Sequence, residues 1–258
     1  MELKLFGCCS GIEPVPKYKH TSFAIETEGE VYWFDAGEGC SDTAHLMGVD
    51  LTRVSNIFIS HTHMDHMGGL FNLLWFMFKL SGWYKKPLPN NGKIGLFIPN
   101  MEAWEGVLQM LLHTCEGCSW DTDVIASQIK NGLLYKDKNI EVTAYHNTHL
   151  EAYEDGNELS FSFKIQGDGK TVVFSGDIKE LFDLDAALET PCDYLLVETG
   201  HHSIKDVCEY VNTKAVKNVI FIHHGREIIQ NMEQSRLIAQ EYAKCNVFFG
   251  EDGDSITL

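Results

Sequence analysis

The sequence predicts a mixed α/β protein, with β-sheets at the centre and helices outside them. Three observations carry this expectation. Tight-turn pairs at Glu28-Gly29 and Asp168-Gly169 separate short apolar runs, as in β-hairpins. Strand-like runs alternate with stretches of helical periodicity along the rest of the chain. The run Val54 to Ser60 is too continuously apolar for a half-exposed strand and fits one buried on both faces.

Taken in order, β-rich runs place strands at Glu2 to Phe6, Thr21 to Thr27, Val31 to Phe34, Val54 to Ser60, Ile94 to Ile98 and Ile140 to Tyr145. Further strands are expected at Leu159 to Gln166, Thr171 to Ser175, Tyr194 to Glu198, Val219 to His223, Val247 to Phe249 and Ser255 to Thr257. Apolar residues at helical spacing place helices at Gly68 to Leu80, Met101 to His113, Asp123 to Asn131, Ile178 to Leu188, Ser203 to Asn212 and Glu227 to Tyr242. The aromatic run around Trp75, Phe76 and Phe78 keeps that spacing and reads as core.

The 258 residues include 44% hydrophobic ones, ample for a buried core, and no Pro/Ser/Gly-rich linker or block of like charge divides them. One domain over 1–258 is expected, with an insertion-like segment around 80–135. The 37 Asp plus Glu against 20 Lys plus Arg give a formal charge of −17. Such a charge repels phosphate backbones and excludes binding of nucleic acid through a broad basic surface. The opening MELKLFGCCSG lacks the basic and apolar regions of a signal peptide. The most apolar segment, Leu70 to Leu80, is about half the roughly 20 residues that a membrane helix requires. Eight cysteines without an export signal point to free thiols, so a cytoplasmic location with no membrane partner is expected.

Directly after the buried strand comes SHTHMDHMGG, which puts His61, His63, Asp65 and His66 within six positions. In an extended segment residues two apart point the same way, so His61 and His63 can bind one ion from one side. Asp65 and His66, where the chain turns into a helix, can face a second. Imidazole with carboxylate suits zinc, with manganese or iron as substitutes, whereas calcium and magnesium favour oxygen-only sites.

This pattern resembles the HxHxDH signature of the metallo-β-lactamase superfamily, and the resemblance extends over nearly the whole chain. Phe34-Asp35-Ala36-Gly37 is similar to the DxG segment that underlies the family's site. The resemblance implies a four-layer αββα sandwich, two mixed β-sheets flanked by helices. It also implies two divalent ions, held by His61, His63 and His149 on one side and Asp65, His66 and His223 on the other, with Asp177 bridging. His146 is the alternative to His149, and His224 the alternative to His223. Two ions a few Å apart need an anionic bridge, and a carboxylate with a bridging hydroxide supplies both the bridge and a nucleophile.

The opening Phe6 to Gly11, the segment Lys19 to Phe23, and Glu198-Thr199 with His202-Ser203 are similar to the ribonuclease Z and small phosphodiesterase branch. Ribonuclease Z carries a long arm for transfer RNA between its lone His ligand and its Asp ligand. Here His149 and Asp177 are only 28 positions apart, so transfer RNA is disfavoured. A small anionic substrate, a phosphate diester that includes cyclic ones, fits better; the alternatives are a lactone, thioester or β-lactam-like carbonyl substrate and ribonuclease Z-like processing. A homodimer is compatible with the resemblance.

Asp65 and His202 are the expected catalytic residues, His202 near the leaving group. The competing expectation is structural, with Ser203 capping the next helix and Asp206 reciprocating. Arg226 is expected to grip a phosphate oxygen, because a guanidinium offers a planar pair of donors. Cys115 and Cys118 form a CxxC, read as two thiols on an insertion loop. Trp83, Tyr84, Trp104 and Trp120 are expected to roof the site.

Overall fold

The computed structural model of the chain describes residues 1–114, 123–153 and 156–258. They form two compact units, each built on one seven-stranded mixed sheet.

The first unit holds residues 1–7, 15–129 and 252–257. Its strands are β1 (Glu2–Gly7), β2 (Ser22–Thr27), β3 (Glu30–Phe34), β4 (Val54–Phe58), β5 (Ile94–Ile98), β6 (Val124–Gln128) and β14 (Ser255–Thr257), in the order β14-β1-β2-β3-β4-β5-β6. The β14, β1, β2 and β3 pairings are antiparallel, whereas β3 to β6 run parallel. Glu28 and Gly29 both adopt left-handed φ, 49° and 74°, as a two-residue hairpin loop of matching twist demands. Parallel pairings need crossovers, supplied by α1 (Cys40–Leu46), then α2 (Met64–Met67) and α3 (Leu70–Tyr84), then α4 (Met101–Leu112). α3 buries Leu70, Leu73, Leu74 and Met77, one i, i+3, i+4, i+7 stripe, beside Trp33, Ile57 and Leu96. Trp75, Phe76 and Phe78 pack against this core, as expected.

The second unit holds 8–14, 130–251 and 258 and repeats the plan. Its strands are β7 (Gly132–Lys136), β8 (Glu141–His146), β9 (Phe161–Gly167), β10 (Lys170–Phe174), β11 (Cys192–Thr199), β12 (Val216–His224) and β13 (Asn246–Phe249), in the order β13-β12-β11-β10-β9-β8-β7. β7 to β10 are antiparallel and β10 to β13 parallel. Asp168 and Gly169 close the β9–β10 hairpin with φ of 53° and 71°. α5 (Ile204–Val211), α6 (Arg226–Gln230) and α7 (Met232–Tyr242) follow β11 and β12. The core gathers Leu195, Val197, Val207, Val211, Phe221 and Phe249, each stabilising the fold by about 1.5–3 kcal/mol through burial.

Several sequence expectations need correction. Asp123 to Asn131 is not a helix but contains β6, where Leu96 pairs with Ala126 and burial alternates along VIASQ. A parallel partner and two β-branched residues outweigh the short helical period. Ile178 to Leu188 contains only the 3-10 turn Leu181–Leu184. Asp183 accepts hydrogen bonds there from the amides of Thr148, Lys179 and Glu180, which ties the chain into a loop. The last expected helix breaks at Asn231, whose φ of −129° separates α6 from α7. Trp104 is 4% exposed in the first unit's core and cannot serve as a roof, whereas Trp83 and Tyr84 are exposed. Cys115, Cys118 and Trp120 lie outside the described residues. Among the described residues no helix is long and apolar enough to cross a membrane.

Candidate metal centre

In the first unit the site begins with Asp35, the residue after β3. It is fully buried and held at a left-handed φ of 50°. Non-glycine residues rarely accept that conformation, at a cost of order 1 kcal/mol or more. Ser22 Oγ and Trp33 Nε1 fix its carbonyl at 2.7 and 2.8 Å. Its carboxylate accepts from the Ser60 amide at 2.6 Å, from Ser60 Oγ at 2.7 Å and from His66 Nδ1 at 2.6 Å. Burial pushes this carboxyl up, against the opposing pull of His66 and Ser60. The Nδ1–H bond leaves the lone pair of His66 on Nε2, the tautomer a metal ligand needs.

Around His66 the motif closes tightly. His61 Nε2 lies 3.1 Å from His63 Nδ1, Asp65 Oδ2 lies 3.5 Å from His66 Nε2, and the His61 and His66 ring centroids are 4.1 Å apart. Donors on one zinc at 2.0–2.1 Å stand about 3.3 Å apart across a tetrahedron, so these spacings suit shared ions. Glycines make the closure possible. A Cβ on Gly37 would stand 2.4 Å from the Asp65 carbonyl, and one on Gly69 would stand 2.3 Å from the Gly37 carbonyl. Short bonds from Ala36 N to His66 O and from Gly69 N to Ala36 O, 2.6 and 2.7 Å, lace the segments together.

In the second unit the centre is Asp177, just beyond β10 and 2% exposed. Its two oxygens face different histidines: Oδ1 is 3.2 Å from His223 Nε2 and Oδ2 is 3.7 Å from His149 Nε2. A carboxylate divided in this way is the geometry of a bridge. At both positions with alternatives, one histidine faces Asp177 and the other does not. His146 faces Glu158 at 3.6 Å, away from Asp177. His224 is buried against the Thr199 hydroxyl and the Gly250 carbonyl, both at 3.0 Å, and burial lowers its pKa to about 4.

A β-bulge separates the two histidines. β11 and β12 pair Glu198 with Ile222 and then Thr199 with His224, so His223 drops out of the ladder at φ 50° and its ring is re-aimed. Gly200 leaves room for that ring, because a Cβ there would stand 2.7 Å from His223 Nδ1.

Glu198 is the buried carboxylate beside Asp177's histidines in this unit, as Asp35 is beside His66 in the other. Buried, it accepts from the amides of Ile178, Gly200 and His201 at 3.0, 3.1 and 2.9 Å, and stands 3.6 Å from His223 Nδ1. His201 Nδ1 lies 2.9 Å from both its oxygens. Burial pushes the Glu198 carboxyl up, but the bonds and charges of His201 and His223 outweigh it and hold it well below the usual range. The same contact with Glu198 raises the pKa of His201.

His201, for which the sequence raised no expectation, belongs to this cluster. It stands 3.9 Å from Asp177 Oδ2, whereas the expected His202 turns its Nε2 to the Ile178 carbonyl at 3.1 Å. The local sequence offers one signal, a His three residues after a Glu at the end of an apolar strand. Ser203 caps α5 as the structural alternative required, accepting from the Asp206 amide at 3.1 Å. Arg226 starts α6, paired through both guanidinium nitrogens with the Glu13 carboxylate. His201, His202 and Arg226 all line one groove of about 730 Å³.

Solved structures share this architecture. The metallo-β-lactamase fold protein YhfI from Bacillus subtilis covers 99% of both chains at 13% identity with a TM-score of 0.72, and the short form of human tRNase Z covers 100% of this chain and 99% of its own at 19% with 0.69. Ribonuclease Z of Methanococcus aeolicus is 41% identical over 285 residues, spanning 90% of this chain and 87% of that protein. The fold and these likenesses define a metal-dependent hydrolase of the metallo-β-lactamase superfamily, in its ribonuclease Z-like branch. Within that class the chain belongs to the family described as Anti-Pycsar protein Apyc1, which it matches over residues 1–244.

Proposed function

We propose that the chain hydrolyses a small phosphodiester, cyclic ones included, at a dinuclear centre. His61, His63 and His149 would hold one ion and Asp65, His66 and His223 the other, with Asp177 shared between them. The observation that carries the reading is Asp177, whose two oxygens face His149 and His223 separately at 3.7 and 3.2 Å. The donor set fits zinc, since it is imidazole with carboxylate and its spacings match the edges of a coordination shell. When bound, two such ions supply charge to neutralise the phosphoryl oxygens and lower the pKa of a water.

The protein's own groups do the rest. Asp35 and Glu198 keep His66 and His223 oriented, which spares reorganisation during reaction. His201, whose proton Glu198 helps to retain, donates to the departing oxygen. The ribonuclease Z relatives raise RNA processing as a reading, but β9, β10 and their two-residue turn already take up about half of the short stretch from His149 to Asp177, which leaves little length for a long RNA-gripping arm. Purified protein tested on bis-p-nitrophenyl phosphate and on a thioester and lactone panel decides the matter. Turnover of the diester supports the proposal, and turnover confined to the carbonyl panel overturns it.

A further inference from the structure

The groove beside His201 carries information about the leaving side of the substrate. It runs along α5, α6 and α7, and its volume of about 730 Å³ would seat a nucleoside-sized group. Its charges are unusual for a protein expected to bind phosphate esters. Lys205 and Arg226 line it, yet each already faces a carboxylate: Lys205 Nζ lies 3.8 Å from Glu209 Oε1, and Arg226 is held by both Glu13 oxygens. Lys205 also sits 5.0 Å over the Tyr242 ring. Glu227 adds a carboxylate to the lining, and Asn231, Gln234 and Ser235 are uncharged, so the groove offers no unbalanced cation among these residues beyond the histidines at its catalytic end.

We infer that Glu13 is a specificity-determining residue, which cancels Arg226 so that the groove accepts an uncharged polar leaving group and rejects one that bears a further phosphate. The inference rests on the phosphodiesterase reading and deepens it. A guanidinium in a groove next to a phosphoryl site would by default attract a second phosphate bidentately. Glu13 occupies that fork first, so a second phosphate must displace a carboxylate in order to bind. The selection is electrostatic and works without any steric barrier.

The test uses the metal-loaded full chain, its Glu13→Gln variant and the Glu13→Gln/Arg226→Gln double variant. Two substrates are compared, a dinucleoside monophosphate and the same compound carrying one terminal phosphate on its leaving nucleoside. The wild-type chain should prefer the first in kcat/KM. Glu13→Gln should narrow that preference about fivefold, mostly in KM, as expected for freeing one partly exposed charge. The double variant should restore it. Calorimetric titration with inorganic pyrophosphate gives a readout independent of turnover: Glu13→Gln should bind it about fivefold more tightly than wild type, and the double variant should lose the gain. Unchanged preference and unchanged pyrophosphate affinity in Glu13→Gln overturn the inference. If no form cleaves either diester, the phosphodiesterase reading fails instead, and the pyrophosphate titration still decides the role of Glu13.

Discussion

Replacing Asp35 by Asn separates the charge of this buried group from its backbone conformation. Asn tolerates the left-handed φ of 50° nearly as well as Asp, so the main chain has no reason to move. The carboxylate, however, accepts three bonds of 2.6, 2.7 and 2.6 Å from the Ser60 amide, Ser60 Oγ and His66 Nδ1. An amide has one oxygen, so its NH₂ must oppose at least one of these donors. A donor left unsatisfied in a fully buried site costs about 1–3 kcal/mol. His66 would regain a partner by moving its proton or turning its ring, and either change removes Nε2 from service. Loss of such a supporting contact lowers metal affinity about 10–100-fold. Chelator competition with zinc measures that affinity, and thermal unfolding of the metal-free chain measures stability. A variant that keeps wild-type zinc affinity would show that Asp35 does not orient His66, and the reasoning would fail.

Three further outcomes follow from the same geometry. Gly200→Ala should weaken metal binding about tenfold or more, because its Cβ would meet His223 Nδ1 at 2.7 Å; wild-type metal content would refute this. His201→Ala should reduce kcat on the diester about a hundredfold, whereas His202→Ala, which loses only a bond to the Ile178 carbonyl, should stay within a few-fold, and steady-state kinetics separates them. His224 is buried neutral with its pKa lowered to about 4. The unfolded chain therefore takes up a proton below its usual value near 6.5 while the folded chain does not, so stability should fall as pH drops from about 6.5 to 4, by about 3 kcal/mol at most. Denaturant titrations of the metal-free chain at pH 7 and 4.5 should show that loss, and His224→Gln should diminish it.

The candidate ligands that the sequence makes legible are those fixed by local geometry. His61, His63, Asp65 and His66 fall within six positions at a strand end, and Asp177 stands where Ser175-Gly176 closes another. What the sequence hid depends on long-range pairing. Whether His223 or His224 turns toward Asp177 is decided by a bulge that exists only because β12 pairs with β11. That His201 stands beside Asp177, where the sequence leads one to expect His202, follows from its contact with the Glu198 carboxylate, which gathers three backbone amides as well. The same kind of pairing made β6 a strand in spite of its helical spacing, since β5 supplies a ladder that no local propensity reveals. Both hairpins, in contrast, followed from two-residue turns whose preference is intrinsic.

The proposed function requires two ions with Asp177 as a shared ligand. Metal content by mass spectrometry, on dialysed wild-type protein and on Asp177→Asn, tests it most directly. About two divalent ions per folded wild-type chain are expected, with clear loss in the variant. One ion or none in the wild type, or two retained by Asp177→Asn, would contradict it.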